Sequence, residues 1–102
     1  MNEPRTIAWI FYATELASGK GAADFHSISQ LADGINHAVP TQKEMHSSLS
    51  WLRAAGLVME TSRKFQITAK GRDILSSAHA DSTTTSQVWV RLAQEIEELL
   101  SK

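Results

Sequence analysis

The sequence contains no cysteine and no run of eighteen apolar residues. The first absence excludes a disulfide framework, a thiolate nucleophile and a cysteine-based zinc site. The second excludes a membrane-spanning helix of the usual length, and Met1 to Arg5 lack the pattern that begins a secretory signal. We therefore expect a cytoplasmic protein without membrane contact, and its 102 residues suit one small domain.

The chain also has little net charge, because ten Lys and Arg face eleven Asp and Glu and leave −1. Taken whole, this value argues against a strongly basic nucleic-acid protein. The distribution is uneven, however: residues 40–72 hold six cations and two Glu, for +4, whereas residues 1–39 hold −2 and residues 73–102 hold −3. A basic segment between acidic flanks is typical of a protein with one phosphate-binding face, although short segments also reach such values by chance.

Two helices are predicted before Pro40. Apolar residues recur at a helical period over residues 6–18, which predicts the first helix. Ser29, with Ile28 as a hydrophobic staple before it, is a candidate N-cap for the second. A brief edge strand over residues 25–28 is the alternative for the start of this region.

A third helix has the clearest local signals of the sequence. Thr41 and Glu44 have the spacing of a capping box, and Gly56 stands where a helix commonly ends. Together with the apolar stripe between them, these signals predict a helix over residues 42–54.

After Gly56 the apolar period changes to two, which predicts a β-hairpin over residues 57–61 and 65–68. Its short polar turn has no Asn-Gly or Gly-Gly pair, so the register stays open. Thr68 is the predicted N-cap of a helix over residues 69–78, in which Gly71 should cost roughly 1 kcal/mol relative to Ala.

A last helix is predicted over residues 85–101, after a polar linker. Two heptads of apolar seam are too short to form a stable coiled coil alone. We expect the seam to pair with a second copy of the chain, and packing on helix 6–18, or on both, is the alternative. The expected dimer interface comprises Val88, Trp89, Leu92, Ile96, Leu99 and Leu100.

Several short motifs accompany this order of elements: residues 28–32, 41–52 and 55–58, and the stretch Ile67-Thr68-Ala69-Lys70-Gly71-Arg72. They resemble winged helix-turn-helix transcriptional regulators of the MarR and PadR types, in which a similar Leu-Thr-x-Lys-Gly-Arg stretch follows the wing. The resemblance implies a mainly α fold with a small β-hairpin. It places a winged-helix domain at residues 1–80, and a linker and dimerisation helix at residues 81–102.

The resemblance further implies a homodimer that binds double-stranded DNA in a sequence-specific way and regulates transcription. Helix 42–54 would enter the major groove, and the wing at about 57–68 would touch the backbone or the minor groove. From side-chain chemistry, we expect base contacts near the helix N-terminus and phosphate contacts elsewhere. The candidate DNA-binding residues are Thr41, Gln42, Lys43, His46, Ser47, Ser50, Arg53, Arg63, Lys64, Lys70 and Arg72.

Two alternatives stay open. The same domain can serve as a protein-interaction module without DNA binding, or as a repressor that responds to a small-molecule effector of unknown identity. Trp51 lies off the apolar stripe, so it either faces DNA or packs against the wing or another helix.

No catalytic constellation is found. The four histidines lack the i, i+4 spacing of a helical metal site, and the serines have no evident His–Asp partners. Gly19-Lys20-Gly21 lacks the first glycine and the Ser or Thr of a phosphate loop. We therefore expect a non-enzyme with no cofactor and no metal.

Overall fold

The computed structural model describes residues 3–19 and 21–101, so Lys20 lies outside the described residues. The helices are α1 (Pro4–Ala17), α2 (Phe25–Asn36), α3 (Gln42–Ala54), α4 (Ala69–Ala80) and α5 (Thr85–Leu100). The strands are β1 (Ala23–Asp24), β2 (Val58–Thr61) and β3 (Lys64–Ile67). The chain is therefore mainly helical with a small antiparallel sheet, which confirms the predicted fold class at this level.

The first helix forms the centre of the hydrophobic core. Every residue of α1 from Ile7 to Thr14 is buried, because α2, α3 and α5 pack around it. Two buried polar groups of α1 have partners: the Trp9 indole N–H donates to the Ala32 carbonyl at 2.7 Å, and the Thr14 hydroxyl donates to the Ile10 carbonyl at 2.7 Å. Helix α1 thus fixes the positions of the other helices.

The second helix begins earlier than predicted. Asp24, not Ser29, is its N-cap, and the Asp24 carboxylate accepts a hydrogen bond from the Ser27 amide at 2.8 Å. This hydrogen bond is the largest cause that lowers the pKa of the Asp24 carboxyl. The brief strand is β1, just before residues 25–28, because Ala23 pairs with Phe65 of β3. The predicted N-cap at Ser29 and the alternative strand over 25–28 were both wrong, because Asp24 ends β1 and also caps α2.

The third helix confirms the prediction at both ends. The Thr41 hydroxyl accepts from the Glu44 amide at 3.0 Å, and the Glu44 carboxylate accepts from the Thr41 amide at 2.9 Å. Gly56 follows the C-cap with a φ of +80°, where a β-carbon is disfavoured.

The small sheet has the strand order β1-β3-β2, and all its pairings are antiparallel. Thr61 pairs with Lys64, so Ser62 and Arg63 alone form the hairpin turn. Their φ values are +54° and +64°, and positive φ at both central residues is what a type I′ turn requires. The register that the sequence left open is therefore set by a turn with no glycine.

Replacing this turn by Ser62→Asn with Arg63→Gly should stabilise the fold by about 1 kcal/mol, because Asn and Gly tolerate positive φ better. The midpoint of urea unfolding measures the gain. Ser62→Val should lower the midpoint, since a β-branched residue avoids this conformation. Equal midpoints for all three proteins would contradict the turn geometry.

The N-cap of α4 is hydrogen-bonded to the residue that follows the C-cap of α3. Thr68 caps α4 by accepting from the Gly71 amide at 3.1 Å, as predicted, and its hydroxyl also donates to the Gly56 carbonyl at 2.6 Å. Gly71 lies directly under the Leu57 carbonyl, where a β-carbon would overlap the oxygen. From the sequence, Gly71 was predicted to lower the stability of the helix, whereas tertiary packing requires a glycine at this position.

The last helix, α5, packs along α1 within the same chain. Val88, Leu92 and Ile96 are buried in the core, and Leu99 and Leu100 are half-buried against it. Val88, Leu92 and Ile96 therefore have no surface left for a second copy, whereas Leu99 and Leu100 stay partly exposed and the dimer itself stays a prediction.

Trp89 belongs to the same intrachain contact. Its indole N–H donates to the Arg5 carbonyl at 2.8 Å, and its ring centroid lies 6.3 Å from that of Trp9. The Arg5 guanidinium stands 5.2 Å from the Trp89 ring centroid, a cation–π contact. The contact of α5 with α1 confirms packing on the first helix, and additional pairing with a second copy stays a prediction.

One hydrophobic core thus continues across the boundary that the sequence placed at residue 80, because α5 completes the core around α1. In the described part of the chain, no helix has the length and apolar character needed to cross a membrane.

Candidate nucleic-acid interface

Helix α3 has one buried and one exposed face. Met45, Ser48, Leu49 and Leu52 face the core. The opposite face consists of polar side chains that the sequence assigned to DNA, all of them exposed: Gln42, Lys43, His46, Ser47, Ser50 and Arg53. Thr41 is also exposed, and its side-chain oxygen is engaged in the helix cap. The structure therefore brings the predicted helix residues onto one accessible surface.

The hairpin lies beside this surface and leaves a groove of about 330 Å³ between α3 and the wing. Arg53 from the helix and Arg63 from the turn both line the groove. Apolar side chains form part of its wall, and the full lining is Phe25, His46, Leu49, Ser50, Arg53, Glu60, Arg63 and Phe65. Helix and wing therefore meet at a groove in which Phe25, Leu49 and Phe65 form an apolar floor between polar and charged side chains.

Arg53 is held by a residue that the sequence analysis missed. Its Nη1 donates to the Glu60 carboxylate of β2 at 2.8 Å, and the two side chains are 59% and 30% exposed. No local signal pointed to this pair, because it joins a helix to a strand across the groove.

His46 also has an unpredicted neighbour. The Phe25 ring at the start of α2 lies 5.0 Å from the imidazole, centroid to centroid, with 40° between the planes. The contact limits the freedom of His46 on the exposed face. Trp51, in contrast, is half-buried against the core, which favours the packing alternative over a DNA-facing one.

Lys70 has a structural partner. Its ammonium donates to the Ala55 carbonyl at 3.1 Å, at the C-terminal end of α3, where a cation is favourable to the helix dipole. Lys70 lies at the start of α4, where a cation is unfavourable to that helix, and its contact with the end of α3 explains its position without an external partner. Arg72, two residues further along α4, is exposed.

Four of the predicted cations are exposed and lack a salt-bridge partner in the described part of the chain. Within residues 3–19 and 21–101, no salt bridge involves Lys43, Arg63, Lys64 or Arg72. All four are exposed, and they come from α3, the wing and α4. In contrast, Arg91 on α5 is held by Asp81 at 3.5 Å and Glu95 at 3.3 Å. Cations without a salt bridge in this part of the chain therefore lie on α3, the wing and the start of α4, and Lys64 lies next to Asp24 across the β1–β3 pairing.

Comparison of the chain with protein-family models, with curated proteins and with solved structures finds no match.

Proposed function

We propose that this protein is a winged helix-turn-helix regulator of transcription that binds double-stranded DNA in the cytoplasm. The order α1-β1-α2-α3-β2-β3, with β3 in the middle of the sheet, supports a winged-helix layout. The observation that carries the proposal is the polar, exposed outer face of α3 with the wing arginine beside it. A helix with such a face is suited to the major groove.

In this proposal the two ends of the exposed α3 face have different roles. Gln42 can pair with adenine and Lys43 with guanine at the N-terminal end, where recognition helices usually read bases. Arg53, Arg63 and Lys64 are placed to contact phosphates beside the groove, and Lys70 supports the helix end instead. In this proposal the wing positions α3, and α3 supplies the sequence preference.

Lys43→Ala and Arg63→Ala should each weaken binding to duplex DNA and reduce the slope of log K against log salt by about 1. Both cations lie on the proposed face without a salt bridge in the described residues. Fluorescence anisotropy over a salt series, on a duplex selected from a random pool, measures both effects.

Arg91→Gln is the control for net charge, because it removes one positive charge from α5, where Asp81 and Glu95 already pair with Arg91. It should leave affinity and salt slope nearly unchanged. Equal behaviour of all three variants would contradict the assignment of the α3 and wing face.

Gln42→Ala should relax the preference at one base pair of the selected site, at a cost of about 1–3 kcal/mol for the preferred base. A repeated selection with the variant reports the change. A loss that is equal for all sequences would instead assign Gln42 to the DNA backbone.

The proposal includes a homodimer, because two-fold dimers read half-sites about 34 Å apart. Its interface must use surface that the chain leaves uncovered, such as the part of α5 around Val90, which is 48% exposed. Sedimentation of the protein with and without an inverted-repeat duplex tests this part of the proposal.

A second candidate function is a protein-interaction module. The apolar floor of the groove, formed by Phe25, Leu49 and Phe65, favours it, since apolar pockets hold side-chain anchors of protein partners. DNA affinity with no salt slope would support this alternative over the regulator.

A further inference from the structure

Glu60 places a carboxylate inside the surface proposed to meet phosphate. It projects from β2 toward α3, and its Oε1 lies 2.8 Å from Nη1 of Arg53. Among the residues that line the groove, Glu60 is the acidic one, next to Arg53 and Arg63. Its position on the proposed DNA surface therefore needs a physical reason.

A contribution of the Arg53–Glu60 ion pair to the stability of the fold is only a weak reason for the position of Glu60. Arg53 is 59% exposed and Glu60 is 30% exposed, and ion pairs in such positions contribute little because water and salt screen them. A carboxylate this close to the path of a DNA strand also repels phosphates. The cost of this carboxylate falls on DNA binding, so a compensating benefit is expected in DNA binding as well.

The geometry of the pair provides such a benefit. A guanidinium has five N–H donors in a rigid plane, and Glu60 engages one nitrogen of Arg53. The other donors keep a defined direction, and the carboxylate offsets the charge of the guanidinium. Arg53 can then bind a phosphate that arrives in the correct position, but it attracts phosphates at other positions less strongly.

We infer that Glu60 is a specificity-determining residue, which orients Arg53 and weakens its attraction for non-specific DNA. This inference rests on the proposed function, since it concerns the same surface. Removing the charge should strengthen contacts that do not depend on sequence, because these are mainly electrostatic. The preference for the selected site should fall as a result.

Glu60→Gln tests the charge while it keeps an oxygen that can accept from Arg53. We expect random duplex to bind about 3- to 10-fold more tightly, and the salt slope to steepen by up to about 0.9. Affinity for the selected duplex should change less, so the ratio of specific to non-specific affinity should fall by about 3-fold or more. Anisotropy titrations of both duplexes over a salt series give all three quantities.

Glu98→Gln is the matched control, because it changes the net charge of the chain equally from an exposed position on α5. It should leave the affinity ratio unchanged. In an Arg53→Gln background, Glu60→Gln should have a much smaller effect, because its action passes through Arg53. Thermal unfolding of each variant separates these effects from a loss of fold.

The outcomes distinguish a failure of the proposed function from a failure of the inference about Glu60. If the wild-type protein selects no duplex and binds random DNA without a salt slope, the proposed function fails and the inference fails with it. If the wild-type protein binds its selected duplex and Glu60→Gln keeps the same affinity ratio and salt slope, the inference alone is overturned.

Discussion

Gly71→Ala should destabilise the protein by about 3 kcal/mol or more, which exceeds an ordinary surface change several-fold. A β-carbon at this position would overlap the Leu57 carbonyl oxygen and would also lie 3.1 Å from Cγ2 of Ile67. The neighbouring backbone has little freedom to move, because the same Leu57 carbonyl accepts from the Thr68 amide at 3.1 Å. Chemical or thermal unfolding measures the loss, with a midpoint lower by about 4–8 °C for each kcal/mol.

Gly34→Ala is the matched control for this substitution. Gly34 also lies in a helix, but a β-carbon there would meet no atom within 4 Å. The change should therefore stabilise the protein by about 0.5–1 kcal/mol, because Ala is the better helix former. Opposite signs for the two Gly→Ala variants would establish the close approach of α4 to Leu57, and equal signs would contradict it.

Leu92→Ala should destabilise the chain by about 3 kcal/mol through the cavity it leaves. Leu92 has 0% exposure, and it lies in the contact between α5 and α1 rather than on the surface. Unfolding of the variant measures this loss. The mass of the folded variant in solution should equal that of the wild-type protein, because the buried side chain cannot reach a second copy.

Two further variants complete this test. Val90→Ala, on the exposed side of the same helix, should change stability by no more than about 0.5 kcal/mol. Leu92→Met keeps the volume nearly constant and should cost less than about 1.5 kcal/mol. If Leu92→Ala instead changed the mass while it left the stability of the single chain intact, the predicted dimer interface would be restored.

The sequence located the elements whose signals are local. The capping box of α3 and the Thr68 cap of α4 involve residues three positions apart, so the order of residues specifies them. The start of α2 was misplaced because two acceptable caps, Asp24 and Ser29, compete within a few residues. The pairing of Ala23 with Phe65 favours Asp24, and this pairing joins distant parts of the chain.

The candidate site also has a part that local sequence signals predict and a part that depends on contacts between distant residues. The exposed face of α3 follows from helical period, so Gln42, Lys43 and His46 were correctly placed together. The partners of Arg53 and Lys70 were not foreseen, because Glu60 and the Ala55 carbonyl meet them across different elements. Two of the predicted cations thus have intramolecular roles that spacing alone cannot show.

By itself the sequence determined the helices, the hairpin and the polar face of α3, because period and capping are local properties of the chain. Only the tertiary structure decided that α5 covers α1, that Gly71 must be glycine, and that Glu60 holds Arg53. The seam of α5 has the same apolar period whether it meets a second copy or its own chain. The choice depends on which hydrophobic surface lies close enough to be buried, and α1 is that surface here.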